Sequence, residues 1–248
     1  MQIFVVRHGE SLGNLDPSAY AKYGDCEIPA TLWGIEQGSG SGKAIARLCD
    51  ERPELHGCKF KVIHSPYQRT VETKDAVIAA IGEDRIARVR ADTRLREQDM
   101  GAARPFIYDI PFDAEAMEPY REAFEAYALA VEKDKFTARP PLGESGEDVA
   151  ARTKDALDAL KKETETDHTP IIIVGHKVSN STLEKHLLNK DADWYAQAPR
   201  RNNCDVLLFE GDFDKGFTVS AIHEGKKRTP SLPPKYKARQ AHGGSKLI

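Results

Sequence analysis

The chain has 248 residues, enough for one large α/β domain or two small ones, and one domain is the simpler reading. Its 40% apolar residues, with charges of both signs, exclude a disordered or fibrous chain. A formal charge of -3 gives no global attraction to nucleic acid or to an anionic membrane, so a phosphorylated ligand would have to be drawn in by a local cluster of cations.

Residues 3–6 form a short apolar run that stops at Arg7-His8-Gly9, the pattern of a buried parallel strand delivering polar residues at its C-terminal end. Helical periodicity follows over 38–51. Residues 60–63 repeat the strand design and end in His64-Ser65-Pro66, before a second helix over 67–81. Further helices are predicted over 113–132 and 146–162, and a third strand over 171–174 ends in Gly175-His176. In open α/β sheets ligands collect outside the carboxyl ends of the strands, so these three ends are expected to converge on one crevice. Residues 206–209 and 217–222 flank a Gly-Asp-rich turn and read as a hairpin, which makes the sheet mixed. From 225 to 248 the composition turns basic, with prolines and glycines and no acid, and a flexible tail is expected.

No apolar run reaches the length of a membrane span, and the N-terminus lacks the basic, apolar and small-residue succession of a secretory signal, so a cytoplasmic protein is expected. Cys26, Cys49, Cys58 and Cys204 are scattered without a C-x-x-C pair, which suggests neither a disulfide framework nor zinc; they read as reduced, mostly buried thiols. Acids and histidines show no metal-ligand spacing.

The sharpest local signal is Arg7-His8-Gly9-Glu10-Ser11, followed by Asn14. A phosphoryl group must be held by cations and N–H groups while a nucleophile approaches, and neutral imidazole is a competent nucleophile at pH 7. Arg7 suits a phosphate fork, Asn14 offers an amide donor, and Gly9 permits close approach of backbone. An isolated Arg-His pair is more often a surface pair, but its place at the end of a buried strand favours function.

Arg7-His8-Gly9-Glu10-Ser11-x-x-Asn14 resembles the opening signature of the histidine phosphatase superfamily, which includes the cofactor-dependent phosphoglycerate mutases. Leu32-x-Gly34-x-x-Gln37, Ser65-Pro66-Tyr67-Gln68-Arg69-Thr70, Leu95-Arg96-Glu97-Gln98-Asp99-Met100-Gly101, Gly143-Glu144-Ser145, Val174-Gly175-His176 and Asn203-Cys204 are similar to further family segments, in order. The resemblance covers 1 to about 222 and is nearest to a phosphatase branch. Pattern and resemblance together predict a three-layer α/β/α sandwich with a mostly parallel, mixed central sheet. A catalytic domain is expected over 1–224, with 102–142 as a cap insertion over the site.

The resemblance implies His8 as the nucleophile, Arg7, Arg69 and His176 as the clamp on the phosphoryl oxygens, and Glu97 as the acid that protonates the leaving alkoxide and then activates water. No cofactor and no metal is implied, since cations already neutralise the phosphate. From the residues alone, Arg69 could pair with Glu72, and Glu97 could belong to a surface ion pair among Arg94, Arg96 and Asp99. His64 reads as a wall residue, and the remaining histidines as surface or packing groups. The family normally follows the second histidine with glycine, whereas Lys177 stands here. That side chain could narrow the pocket, alter how the following amide meets phosphate, or add a cation for a charged substrate.

Two other functions fit the same residues: a mutase that keeps the phosphohistidine between half-reactions, and a catalytically silent phospho-ligand binding protein. The mutase reading calls for a basic cover, yet acids outnumber Arg and Lys over 102–142. That acidic cover, with aromatics at Phe106, Tyr108, Phe112 and Tyr120, favours a neutral or hydrophobic leaving group. The expected partner is a small phosphorylated substrate, with no nucleic acid and no membrane; a homodimer is left open. Lys227-x-x-Pro230-x-x-Pro233 formally matches a ligand for a polyproline-binding groove, and the basic tail could equally meet an acidic partner.

Overall fold

The computed structural model describes residues 1–108 and 113–226; the tail beyond 226, its proline motif included, and Asp109 to Phe112 of the cover lie outside the described residues. Six strands, β1 (Gln2–Arg7), β2 (Phe60–His64), β3 (Ile86–Ala91), β4 (Ile171–Gly175), β5 (Val206–Asp212) and β6 (Gly216–His223), form one sheet in the order β3-β2-β4-β1-β5-β6. β3, β2, β4 and β1 run parallel; β5 pairs antiparallel with β1, and β6 antiparallel with β5. The sheet is thus mostly parallel and mixed, as the apolar runs predict.

Period-two alternation gives the sheet two apolar faces. Ile3, Val5, Ile171, Ile173, Leu207 and Phe209 point to one side, where they pack against α8 (Gly146–Thr164) and α9 (Lys177–Leu187). Phe4, Val6, Val62, Ile172, Val174 and Leu208 point to the other, against α3 (Leu32–Glu51) and α4 (Gln68–Ile81). Three layers result. Strands buried on both faces read as continuous apolar runs, which is why β1, β2 and β4 are visible in the sequence.

Helix ends are set by side chains. Ser145 caps α8 by accepting from the Asp148 N–H (3.1 Å) while the Asp148 carboxylate accepts from the Ser145 N–H (2.7 Å). Thr31 accepts from the Gly34 N–H (3.0 Å), so α3 begins at Leu32, six residues before the periodicity predicts.

Three elements differ from the sequence reading. β3 was not expected: it is an edge strand whose Arg88 and Val89 are exposed, so it lacks a continuous apolar signal. The single helix expected over 113–132 is broken. Short α6 (Ala114–Met117) gives way to a 3₁₀ turn at Glu118–Tyr120, and α7 (Arg121–Lys133) follows, because Pro119 has no N–H to continue an α-helical ladder. The tail does not begin at Gly225: its N–H donates to Asp205 Oδ1 (2.8 Å), and the Lys226 carbonyl accepts from Gln37 Nε2 (2.7 Å). Cys49 and Cys204 are buried, Cys58 is half-buried and Cys26 exposed, all four as free thiols. Among the described residues no helix is long and apolar enough to cross a membrane.

Candidate active site

Strand register assembles the site. Arg7 of β1 lies opposite Gly175 of β4, so the next residues, His8 and His176, emerge side by side, with ring centroids 5.2 Å apart. His64 of β2 lies opposite Val174, which brings Ser65 to the same edge, and its hydroxyl is 2.8 Å from His176 Nε2. The expected convergence of three strand ends is present.

His8 is 4% exposed, and its Nδ1 lies 2.7 Å from the Gly9 carbonyl. A carbonyl can only accept, so Nδ1 carries the hydrogen and the lone pair rests on Nε2. Burial, reinforced by the cationic Arg69 and Arg7, pushes the His8 pKa well below 6.5 against the opposing pull of that carbonyl. The ring is therefore neutral at pH 7, the form a nucleophile requires. Burial, with the same two arginines and His8 nearby, lowers His176 in the same direction.

A cavity of about 140 Å³ opens beside His8, and Arg7, Asn14, Arg69, Glu97 and Lys177 are among its lining residues. The sequence-predicted residues thus meet in one place; His176 stands behind His8, off the cavity wall. His64, read as a wall residue, is buried at the end of β2 with Nδ1 on the Ser65 carbonyl, and does not line it.

Arg7 and Arg69 are each anchored by the surrounding chain. Arg7 donates from Nη1 to the Arg201 carbonyl (2.7 Å), while its buried Nε has no partner among the described residues. Arg69, 2% exposed, does not pair with Glu72, whose carboxylate accepts from the Ala30 N–H and Gln68 Nε2. It donates instead to the Asp25 carbonyl (2.5 Å) and to Asp25 Oδ1 (2.9 Å), and Arg104 reaches Asp25 Oδ2 at 3.2 Å. Asp25, Arg104 and Tyr20 also line the cavity and were missed, because each lies in irregular sequence with no motif around it. Asn14 is positioned by Asn203, whose Nδ2 donates to Asn14 Oδ1 (3.2 Å) and to the His8 carbonyl (2.9 Å).

Glu97 is not in a surface ion pair. Arg94 pairs with Asp92, and Arg96 with Glu144. The Glu97 carboxylate accepts from the Lys177 N–H (3.0 Å) and the Val178 N–H (3.0 Å), the first two amides of α9, and from its neighbour Gln98 (3.0 Å). It therefore satisfies the orphan donors of a helix N-terminus where a negative charge is favoured. Its backbone is held from behind by Arg152 of α8, which donates to the carbonyls of Arg94 (2.6 Å), Arg96 (2.8 Å) and Glu97 (3.1 Å). The Lys177 amide is thus engaged with Glu97.

Gly9, the residue after His8, is required by the close approach of a neighbouring backbone. A Cβ on Gly9 would come within 2.2 Å of the Gly34 carbonyl, and one on Gly34 within 2.1 Å of the Glu10 carbonyl. These two glycines let the end of β1 press against the first turn of α3.

A site of this kind has relatives. The model of the histidine phosphatase superfamily (branch 1) matches residues 3–223. The chain is 29% identical to the Phosphoglycerate mutase-like protein AT74 of Arabidopsis thaliana over 248 aligned positions, covering 96% of this chain and 74% of that one. Among solved structures, the alpha-ribazole phosphatase of Shigella flexneri superposes with a TM-score of 0.63 at 20% identity, over 92% of this chain and 100% of that one. A mycobacterial glucosyl-3-phosphoglycerate phosphatase gives 0.59 at 20% identity, over 91% and 99%. At such identity the structural likeness speaks for the fold, and the family match spans nearly all of the sheet, both histidines and the Glu97 segment. The chain belongs to the histidine phosphatase superfamily.

Proposed function

We propose that the protein is a metal-independent phosphoric monoester hydrolase that works through a phosphohistidine on His8. The observation that carries this reading is the His8 ring itself: buried, neutral, its Nδ1–H fixed on the Gly9 carbonyl, and set against a cavity shared with Arg7, Arg69 and Lys177. Nε2 attacks phosphorus as the P–O bond to the alcohol breaks, and Arg7, Arg69 and Asn14, which line the cavity, hold the remaining oxygens, while His176 packs beside the His8 ring. Glu97 takes up the proton released as the phosphate monoanion settles on the cations as a dianion, turns from the α9 amides and gives that proton to the departing oxygen. As carboxylate it then takes a proton from water, which attacks phosphorus and returns His8 Nε2 to its free form. Cationic side chains supply the charge neutralisation that a metal would otherwise provide.

In this reading residues 1–224 are the catalytic domain and 102–142 its cap, since Ile107, Tyr127 and Val131 line a second cavity next to the first. Four free thiols support a reducing, cytoplasmic setting. Transfer to a second alcohol instead of water is supported by the likeness to the phosphoglycerate mutase-like relative of Arabidopsis thaliana. The two outcomes separate by product. With p-nitrophenyl phosphate under a chelator, phosphate release by the wild type and at least a thousandfold loss in His8→Ala is expected, roughly the scale of removing a catalytic nucleophile. Activity that a chelator abolishes and one divalent ion restores overturns the metal-free reading. Phosphate recovered on an added alcohol in place of water replaces hydrolase with transferase.

A further inference from the structure

Beside the 140 Å³ phosphate cavity lies a larger chamber of about 400 Å³. Glu97, Gln98, Met100 and Lys177 line both, so they form the partition between the two. A phosphate ester seated on His8 would have its alcohol part directed past Glu97, the group placed to protonate it, and into this second space. The chamber's lining is apolar at Ile107, Tyr127 and Val131, and cationic at Lys135, Lys177 and Arg200.

The charge of that lining is one-sided. Glu97 is the only carboxylate lining the chamber among the described residues, and its oxygens already accept from amides. Lys135, Lys177 and Arg200 make no ion pair with any described residue. Burial lowers the Lys177 pKa, and the neighbouring cations Lys135, Arg7 and Arg200 lower it further, against the pull of Glu97. Like charges crowded this way are relieved by an anion among them. The described acids of the cover do not supply one: Asp113, Glu115, Glu118, Glu122, Glu125, Glu132 and Asp134 are all exposed and line neither cavity. The neutral leaving group expected from the acidic composition of 102–142 is therefore not what the chamber suits, because the count of acids says nothing of which way they face.

We propose that this chamber is the leaving-group subsite, and that Lys177, Lys135 and Arg200 make it select phosphate monoesters whose alcohol part carries a second anionic group beside an apolar body. The proposal rests on the hydrolase reading for the orientation of the ester. Lys177 is then a specificity-determining residue, reaching the chamber from the position that directly follows His176.

Phenyl phosphate and 3-carboxyphenyl phosphate share the reacting group and the ring and differ by one carboxylate, so the ratio of their kcat/KM values reads the subsite alone. At low ionic strength the carboxylated ester is expected to be favoured by about tenfold in the wild type, equivalent to about 1.4 kcal/mol. The ratio should shrink as salt screens the contact. Lys177→Met and Lys135→Met are each expected to lower it by roughly threefold, as for the loss of one partly screened charge contact. Lys154→Met, an exposed lysine paired with Asp158 on α8, is expected to keep it. Equilibrium binding of the two esters to His8→Ala gives the same preference without turnover. A ratio of one or less in the wild type, or a preference that survives both chamber variants, overturns the proposal. Preferential binding of the charged ester with no turnover of either keeps the subsite and overturns the hydrolase reading; turnover of both with no preference does the reverse.

Discussion

At the strand ends His8, Ser65 and His176 are at most 4% exposed, and each is fixed by the register of β1, β2 and β4. Over the neighbouring chamber α7 has no buried residue, and it touches the cavity through a few side chains on one helix face. The first region cannot shift without moving the core of the sheet; the second can change its surface while leaving the core in place. Chemistry common to a large superfamily would be built on the former, and choice of substrate on the latter.

Cutting into each region should expose the contrast. Phe4, fully buried and edge-on to Phe60 at 5.7 Å, sits two residues from the site arginine's neighbour Val6 in β1. Phe4→Ala is expected to cost about 3–5 kcal/mol by urea unfolding. The same truncation at Leu129 of α7, 60% exposed, is expected to cost no more than about 0.5 kcal/mol. Comparable losses at the two positions would mean that the roof is as much a part of the core as the strands.

Asp25 tests whether the strand-end region depends on its loops. Asp25→Asn removes the charge that anchors Arg69 and Arg104. Catalytic efficiency on p-nitrophenyl phosphate is expected to fall by roughly ten- to a hundredfold, since a small misplacement of a clamp costs that much. The loss should fall mainly on kcat; a change confined to KM would mark Asp25 as a contact for ground-state binding alone.

A last effect concerns pH. His8 and His176 both have pKa values pushed down in the folded protein, so below about 6.5 the unfolded chain binds protons that the folded chain refuses. Their contribution to stability is complete above that value and declines as pH falls toward the depressed pKa values. Urea midpoints measured from pH 8 to pH 5 should drop in the wild type, by up to about 1.4 kcal/mol per pH unit for each histidine, and less steeply in His8→Gln. Equal slopes would place the protonation difference elsewhere.

The strand-end region was legible because its signals are local. β1, β2 and β4 are continuous apolar runs that stop at polar residues, and Arg7, His8, Arg69, Glu97 and His176 each stand within a short recognisable phrase. What the sequence did not disclose depends on tertiary contact. Asp25 and Arg104 come together only through their shared pairing around Arg69, and Arg152 acts through carbonyls fifty-five or more residues away. β3 was hidden by exposed arginines, and the acids of the cover misled because composition carries no direction. Lys177 was read as an anomaly after the second histidine, while its neighbours Lys135 and Arg200 are separated from it by 42 and 23 positions.

The pairing of Arg7 with Gly175 also sets an order of events during synthesis. β4 lies between β1 and β2 in the sheet, so the first two strands to leave the ribosome cannot rest in their final places until the third quarter of the chain has emerged. Until then His8 exists without its companion histidine, and Asn203, which steadies both Asn14 and the His8 carbonyl, arrives later still. Long-range closure of this kind is slow in folding terms. A chain that stops short of β4 would thus carry His8 without the assembled site, and the site would be complete only once Asn203 has joined it.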